Sequence, residues 1–384
     1  MNKSYDLIVI GAGSIGVPVA TEFAKKGQSV LIIDSLSSPG QGQDKKAIGG
    51  IRATHSDKGK IVVCQRSIEI FSQWEGMYGD DIQWRSNGYS FPAYTKKDEK
   101  ILRDLMNIQQ GFGLNIKWLS PEEYRELNRG INMEGLRGST YSPEDGSASP
   151  LLFTQSCYFK AVEYGAEFKF NETVVGFHIE NSKIASVRTT KGTYHSSHVL
   201  NAAGSFAREV SQMAGIDIPV DPDSHEAGIS EPVEPFMGPM VVDIRKRPGS
   251  KNFYFYQSSQ GQVVFCMTPD PPIRGIDNRA TSKFLPMIAR RMIKVMPMLA
   301  HLKVRRTWRG QYPMTPDGFP IVGKMEELDN FYQAVGMCGQ GFMLGPGMAE
   351  LIYRLMTETY NSEDPEILKS FDPYRDFKGQ EVFK

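Results

Sequence analysis

Residues 7–16 read LIVIGAGSIG, in which a run of four apolar residues leads directly into three glycines with the spacing GxGxxG. A second apolar run, VLII at 30–33, follows and is closed by Asp34. The pattern predicts a strand, a glycine turn, a helix and a second strand ending in an acid. This order is typical of a dinucleotide-binding βαβ unit.

Each residue type in this segment suits that chemistry. Gly11 permits a tight turn, Gly13 lets backbone amides approach a pyrophosphate, and Gly16 lets helix and strand pack closely. The helix N-terminus offers partial positive charge to phosphates, and an acid after the second strand accepts hydrogen bonds from a ribose. The cofactor-binding residues predicted here are Gly11, Gly13, Ser14, Ile15, Gly16, Asp34 and Ser35.

The composition excludes several other classes of protein. The 384 residues include 44 Lys and Arg against 44 Asp and Glu, so no basic surface points to nucleic acid or an anionic membrane as partner. No apolar stretch is long enough to span a bilayer. The four cysteines lack CxxC spacing, so we predict neither a metal site nor a disulfide framework. We predict a cytoplasmic location, where cysteines stay reduced.

The rest of the chain indicates which dinucleotide is bound. No second βαβ run follows Asp34, which argues against a nicotinamide enzyme. The sheet is expected to resume at 165–170 and to end in the strand 198–203. A glycine cluster at 336–347 is predicted to open a helix over 348–359, with its first amides turned toward an isoalloxazine.

Three motifs carry a family resemblance that extends over essentially the whole chain. GAGSIG at 11–16, VLNAAG at 199–204 and the run 308–347 resemble the FAD-dependent amine oxidoreductases of the D-amino-acid oxidase type. GGIR at 49–52 and DPYR at 372–375, with YPMTPD at 312–317, are most similar to two relatives. These are the β subunits of heterotetrameric sarcosine oxidase and of archaeal L-proline dehydrogenase.

The resemblance implies an α/β fold, α+β overall, in which an antiparallel-sheet substrate domain is inserted into a Rossmann-like FAD-binding domain. The FAD-binding domain is expected to comprise residues 1–88, 145–225 and 305–384, and the substrate or cap domain residues 89–144 and 226–304. An extended FAD is expected to contact further residues, namely Gly49, Gly50, Arg52, Val174, Ala203, Gly204, Gly310, Tyr312, Gly339, Gln340, Gly341, Phe342 and Met343.

Departures from the relatives predict how the flavin is held and reoxidised. Some monomeric sarcosine oxidases attach flavin through a cysteine at the place of Gly310, and other relatives use a histidine near Lys46, so we predict non-covalent FAD. The sarcosine oxidases have a lysine in the flavin-side loop, and the corresponding residue here is Met343. The position of their oxygen-activating lysine corresponds here to an apolar strand near Val263 and Val264. Both replacements favour a dehydrogenase over an oxidase.

Five residues are the catalytic candidates. Arg52 follows two glycines and can form a forked ion pair with a substrate carboxylate. Tyr254 and Tyr256 are two apart in a strand pattern and therefore share a face, which is either core or substrate cavity. His225 matches a histidine of the proline dehydrogenase relatives, and Gln340 stands where relatives often have a histidine.

The function implied is oxidation of a secondary or cyclic amino acid, such as sarcosine or proline, to an imine by hydride transfer to FAD N5. Oxidation of glycine or a D-amino acid is an alternative in the same class. In a different class, the chain is a β subunit that relays electrons to partner chains. An α-type subunit or a homo-oligomer is the expected partner, and the sequence leaves the substrate and the electron acceptor open.

Overall fold

The computed structural model describes residues 4–381. The strands are β1 Ser4–Ile10, β2 Val30–Ile33, β3 Gly50–Ile51, β4 Tyr89–Ala93, β5 Lys117–Leu119, β6 Gly138–Ser142, β7 Gly146–Ser147, β8 Glu167–Lys169, β9 Val174–Glu180, β10 Lys183–Thr189, β11 Thr193–Asn201, β12 Asp221–Pro232, β13 Met240–Asp243, β14 Gly249–Gln257, β15 Gln262–Asp270, β16 Val304–Met314, β17 Ile321–Lys324 and β18 Phe331–Val335.

The helices are α1 Gly16–Lys25, α2 Lys58–Tyr78, α3 Lys96–Gly111, α4 Pro121–Leu127, α5 Pro150–Glu163, α6 Ala207–Gln212, α7 Phe284–Val295, α8 Gly341–Thr357 and α9 Asp364–Phe371. Short 3-10 turns lie at Asp44–Lys46, Gly204–Phe206 and Pro297–His301. No helix within residues 4–381 is both long and apolar enough to cross a membrane. The same residues contain no group of three or more His, Cys, Asp or Glu side chains arranged to hold a metal ion.

The first sheet confirms the predicted nucleotide-binding architecture. Its strand order is β17-β18-β11-β1-β2-β8, and β8, β2, β1, β11 and β18 are mutually parallel. The apolar runs of β1 and β2 are buried on both faces, as expected for a parallel sheet covered by other layers. Helices α1, α2, α5 and α8 share one hydrophobic core with one face, and α6 packs with the hairpin β9–β10 on the other.

The second sheet has eight strands in the order β16-β12-β15-β14-β13-β4-β6-β5. Phe253 and Phe255 of β14 are fully buried in a core with α7, on the face away from the first sheet's loops. Tyr254 and Tyr256 belong to a separate cluster on the opposite face. The alternation predicted for this strand therefore gives one face to the core and the other to the interior between the sheets.

Two details differ from the sequence-based expectations. Strands β12 and β16 pair along their length in the second sheet, so the predicted domain boundaries at 225/226 and 304/305 fall within or beside strands of that sheet. Helix α8 begins at Gly341, seven residues before the predicted start at 348. Pro346 therefore lies inside the helix. The glycines before it had indicated a longer loop, but tight packing on neighbouring backbone keeps this segment helical.

Two motifs of the resemblance meet in the fold. The Arg375 guanidinium donates two hydrogen bonds to the Asp317 carboxylate, at 2.7 and 3.1 Å. Further along the same C-terminal segment, the buried Lys60 ammonium lies 3.2 Å from Glu381 and donates to the Gly318 carbonyl. These ion pairs fix residues 375–381 against the turn that follows β16.

The closest backbone approach in the βαβ unit gives a test of the fold. A Cβ at Gly16 would lie 1.9 Å from the Gly11 carbonyl oxygen, so Gly16→Ala forces helix and strand apart. We expect a loss of about 3 kcal/mol in the free energy of unfolding, measured by denaturant titration of the purified protein.

Gly76→Ala is the matched control, because a Cβ at this exposed position in α2 would meet nothing within 4 Å. Alanine is the better helix former, so this variant should gain about 0.5–1 kcal/mol. Equal stability of the Gly16→Ala variant and the unmodified protein would contradict the packing described here.

Candidate cofactor and substrate site

A cavity of about 660 Å³ lies between the two sheets. Residues at the carboxyl ends of β1, β2 and β11 line one end of it, which is where open parallel sheets bind ligands. Side chains of β12, β13, β14 and β15 form the opposite wall. The cavity volume is within the range of small-molecule sites.

Two helix N-termini meet at this cavity. Helices α1 and α8 both lack a side-chain cap and have no acid in the first turn, so no protein carboxylate offsets the positive end of either helix at the cavity. They touch through glycine: a Cβ at Gly345 would lie 2.1 Å from the Ser14 carbonyl oxygen. Gly11 has φ +109°, and a Cβ there would lie 2.5 Å from the Ala202 carbonyl oxygen. Side chains larger than hydrogen are therefore excluded at Gly11 and Gly345.

Asp34 is at the end of β2, as predicted, and is held in place by backbone groups. One carboxylate oxygen accepts the Ala12 N–H at 2.7 Å, and the other accepts the Leu36 N–H at 2.8 Å. Each carboxylate oxygen has capacity for a further hydrogen bond. The fixed carboxylate lines the cavity and can bind a pair of ribose hydroxyls.

A second acid at this end of the cavity was not predicted. Asp44 is buried in a 3-10 turn and accepts a hydrogen bond from the Thr154 hydroxyl at 3.1 Å. Burial raises the pKa of its carboxyl to about 6, although hydrogen bonds from Thr154 and Ser14 act in the opposite direction. No sequence signal marks this acid, because it lies in a polar stretch without periodicity.

The other end of the cavity is formed by the loop before α8. Gly339 has φ +81°, and a Cβ there would overlap the Tyr312 ring at 2.3 Å. Gln340, the N-cap residue of α8, is buried and its Oε1 has no hydrogen-bond partner among the described residues. An unpartnered buried amide oxygen on the cavity surface is suited to a ligand that carries a hydrogen-bond donor.

Arg52 lines the cavity immediately after β3. Its guanidinium is buried, donates to the Thr54 carbonyl and lies 6.0 Å from the centre of the Phe91 ring. Behind it, burial raises the pKa of Asp145 to about 7, against the hydrogen bond from the Ala53 N–H and the charge of Arg52. The site therefore contains a buried cation within reach of a ligand.

Two tyrosines form a pair on the sheet wall. The Tyr254 and Tyr312 hydroxyls are 2.7 Å apart, and the Cys266 sulfur lies 3.9 Å from the latter. Burial and their neighbours raise the pKa of both phenols well above the ordinary value. Tyr256 was also predicted here, but it does not line the cavity. Its hydroxyl donates to the Ile48 carbonyl and holds the loop before Arg52.

His225 occupies the cavity wall next to this pair. Its ring stacks on Tyr312 with a centroid distance of 3.9 Å, and its Nε2 lies 3.4 Å from an Asp223 carboxylate oxygen. Neither ring nitrogen has a hydrogen-bond partner among residues 4–381. Burial alone would raise the pKa of Asp223, but the neighbouring His225 outweighs it and the pKa is lowered.

The structure brings most of the sequence-predicted site residues to this one cavity. The lining includes all the predicted cofactor-binding residues except Gly16, which acts in packing, and it includes the catalytic candidates Arg52, Tyr254, His225 and Gln340. Sequence reasoning missed several lining residues, which are Asp44, Tyr89, Phe91, Asn252, Cys266 and Thr268. Except for Asp44, they belong to strands of the second sheet, whose register the sequence alone did not specify.

Comparison with known proteins gives consistent relatives. Residues 6–355 match the family model described as FAD dependent oxidoreductase. The sarcosine oxidase subunit beta of an Arthrobacter species is 25% identical over 352 residues, covering 90% of this chain and 85% of that protein. The hydrogen cyanide synthase subunit HcnC of Pseudomonas protegens is 22% identical over 401 residues, covering 93% and 94%. The crystal structure of L-proline dehydrogenase from P. horikoshii superposes with a TM-score of 0.92 at 32% identity, covering 99% and 100%.

The buried acid in the 3-10 turn generates a pH prediction. Because folding raises the pKa of Asp44 from 3.8 to about 6, the folded state loses stability as pH rises from about 4 to about 6 and stays level above. Asp44→Asn removes this cost. At pH 7.5 the variant should be more stable by up to about 3 kcal/mol, and at pH 4 the gain should vanish.

Thermal unfolding of the cofactor-free protein at several pH values measures this effect. Asp104→Asn removes an exposed carboxylate from α3 and controls for the loss of one charge. A stabilisation by Asp44→Asn that is the same at pH 4 and pH 7.5 would show that the buried charge is not its cause.

Proposed function

Because the chain belongs to the family of FAD-dependent oxidoreductases, we propose that it oxidises a secondary or cyclic amino acid, of the sarcosine or proline kind, to an imine. One observation carries the proposal. The buried Arg52 guanidinium and the Tyr254–Tyr312 pair line the same cavity as the two uncapped helix N-termini. The arrangement combines a binding place for a carboxylate with one for a dinucleotide.

The residues around the cavity fit FAD in an extended pose. The N-terminus of α1 and the glycines beside it suit a pyrophosphate, and Asp34 suits the adenosine ribose. The N-terminus of α8 and the unpartnered Gln340 Oε1 suit the isoalloxazine, which has both acceptors and an N–H donor. Gly310, at the place of the flavin-linking cysteine of some monomeric sarcosine oxidases, lines the cavity and has no thiol, which supports non-covalent binding.

When bound, FAD would supply the two-electron acceptor for the hydride lost by the carbon next to the substrate nitrogen. Loss of a hydride from the neutral amine would turn the C–N single bond into the C=N bond of a protonated imine, which would give up its N–H proton to solvent after release. The protein's part is to bind and orient the amino acid. Arg52 holds the carboxylate, and the aromatic wall of Tyr254, Phe91 and Tyr312 excludes water from the reacting carbon.

The tyrosines act as hydrogen-bonding groups and not as bases. Burial keeps the pKa of Tyr254 and Tyr312 far above neutral, so both phenols retain their protons in the working pH range. We therefore propose that the amine binds in its neutral form. The positive end of α8 would stabilise the negative charge of the reduced flavin.

Two features favour a dehydrogenase over an oxidase. Strand β15 contributes Cys266 and Thr268 to the cavity and contains no lysine from Gln262 to Asp270. Met343, at the place of the flavin-side lysine of sarcosine oxidases, is apolar and nearly buried. Oxygen activation by a positively charged side chain on this strand is therefore absent from the mechanism we propose.

A second candidate function is that of a subunit in a larger amine-oxidising assembly. Two of the relatives are named as subunits, of sarcosine oxidase and of hydrogen cyanide synthase. Gel filtration of the protein purified from its native cells distinguishes the two. A homo-oligomer that turns over alone with an artificial acceptor supports independent catalysis, whereas activity only with a co-purifying chain supports the relay role. In either case we propose a cytoplasmic location, supported by four free, buried cysteines.

Acid precipitation tests the mode of flavin binding. Because no cysteine stands at position 310, all of the flavin should remain in the supernatant when the protein is precipitated, as measured by its fluorescence. Flavin that stays with the washed, denatured pellet would contradict non-covalent binding.

Substitution of the cavity arginine tests substrate binding. Arg52→Met removes a charge-assisted pair with the carboxylate, so kcat/KM for N-methyl and cyclic amino acids should fall about 100-fold or more, mainly through KM. Amines of the same shape without a carboxylate should be affected far less.

Arg103→Met, at an exposed arginine that pairs with Glu99 on α3, is the matched control and should leave both parameters unchanged. Flavin content and thermal stability of each variant separate a binding defect from misfolding. An equal loss for substrates with and without a carboxylate would remove Arg52 from the proposed role.

A further inference from the structure

Three polar side chains form a row across the cavity face of the second sheet. Phe253 of β14 and Glu226 of β12 both pair with Met267 of β15. Asn252 precedes Phe253, His225 precedes Glu226, and Thr268 follows Met267. All three of these neighbours line the cavity. Side chains alternate along a strand and neighbouring strands lie about 5 Å apart, so the three share the cavity face of adjacent strands, with Asn252 at the register shift of β14 between Ser250 and Phe253. We call Asn252, Thr268 and His225 the polar row.

The polar row has unused hydrogen-bonding capacity. In the described part of the chain, the side chains of Asn252 and Thr268 form no hydrogen bond with another protein group. Both ring nitrogens of His225 lack a hydrogen-bond partner, and Nε2 has only the ionic contact with Asp223 at 3.4 Å. Thr268 and His225 are 8% and 4% exposed. Buried polar groups without partners are costly, so the His225 nitrogens, with buried Thr268 and partly exposed Asn252 on the same cavity wall, indicate a ligand group that satisfies them.

The surroundings of the row define the chemistry of that group. Each of the three side chains can donate and accept a hydrogen bond, since Asn has an amide, Thr a hydroxyl and His two ring nitrogens. Within residues 4–381, the only lysine and arginine that line the cavity are Lys46 and Arg52, and neither is in the row. Asp223 lies behind His225 at 3.4 Å and disfavours an anion. A neutral hydroxyl, which also donates and accepts, matches the row.

We propose that the polar row binds a hydroxyl substituent, and that the preferred substrate is a hydroxylated secondary or cyclic amino acid. This inference rests on the proposed function, because it assumes that an amino acid binds with its carboxylate at Arg52. The row is then the second anchor, on a wall that is otherwise apolar and aromatic: Val242, Ile244, Tyr254 and Ala227. It determines specificity and takes no part in the bond changes.

Paired substrates test the inference on the holoprotein. The rate and end point of anaerobic flavin reduction are measured with proline against the four stereoisomers of 4-hydroxyproline, and with N-methylalanine against N-methylserine. At least one hydroxylated compound should be preferred over its unhydroxylated partner by about tenfold or more in the second-order rate constant, because the partner leaves the polar groups unsatisfied.

Two nearly isosteric variants assign the preference to the row. Thr268→Val and Asn252→Leu should each lower the hydroxylated-to-unhydroxylated ratio by about three- to tenfold. Thr307→Val is the control: Thr307 lies on β16 of the same sheet, outside the cavity lining, and its substitution should leave the ratio unchanged. Flavin content confirms that each variant is folded.

The outcomes separate this inference from the function on which it rests. Reduction by proline or N-methylalanine at the same rate as by the hydroxylated partners overturns the hydroxyl subsite and leaves the proposed function standing. A preference that survives both Thr268→Val and Asn252→Leu overturns the assignment to the polar row. If none of these amino acids reduces the flavin, the proposed function itself is overturned.

Discussion

The structure depends on the close approach of backbone to backbone around one loop. Gly11 lies against Ala202 just after β11, Gly16 against Gly11, and Gly345 of α8 against Ser14 just before α1. None of these contacts leaves room for a Cβ. They bring the N-termini of two helices, α1 and α8, to one point at the edge of the parallel sheet, although these helices are separated by more than 300 residues. A long anionic cofactor is the ligand that such an edge suits.

The second sheet converts this edge into an enclosed site. Its strands come from two separate segments of the chain, residues 89–142 and 221–314, and its cavity face carries the tyrosine pair and the polar row. The loop that carries Arg52 is held between the sheets, because the Tyr256 hydroxyl bonds to the Ile48 carbonyl and the Trp308 indole N–H donates to the Lys46 carbonyl at 2.7 Å. Residues outside the cavity thus position the groups that reach into it.

The sequence was most informative where backbone geometry restricts residue choice. One end of the cavity was predicted from the glycine spacing at 11–16 and the acid at 34. The loop at the other end was predicted from the glycines at 339–341. The start of α8 was misplaced because glycines and Pro346 usually mark a helix boundary, and here tertiary packing overrides that preference. Tyr256 was predicted to lie in the site because the strand pattern places it on the same face as Tyr254. That pattern does not show that Tyr256 contacts the loop at Ile48 instead of the cavity. Asn252 and Thr268 were missed because cross-strand pairing brings them beside His225, and pairing between distant segments has no local signal.

The most direct test of the account is a crystal structure of the yellow holoprotein with a bound, unreactive carboxylate analogue of proline. The account predicts the pyrophosphate at the N-terminus of α1, the isoalloxazine between the 339–343 loop and the Tyr254 wall, and the carboxylate on Arg52. A flavin ring placed elsewhere, or a carboxylate bound away from Arg52, would contradict it.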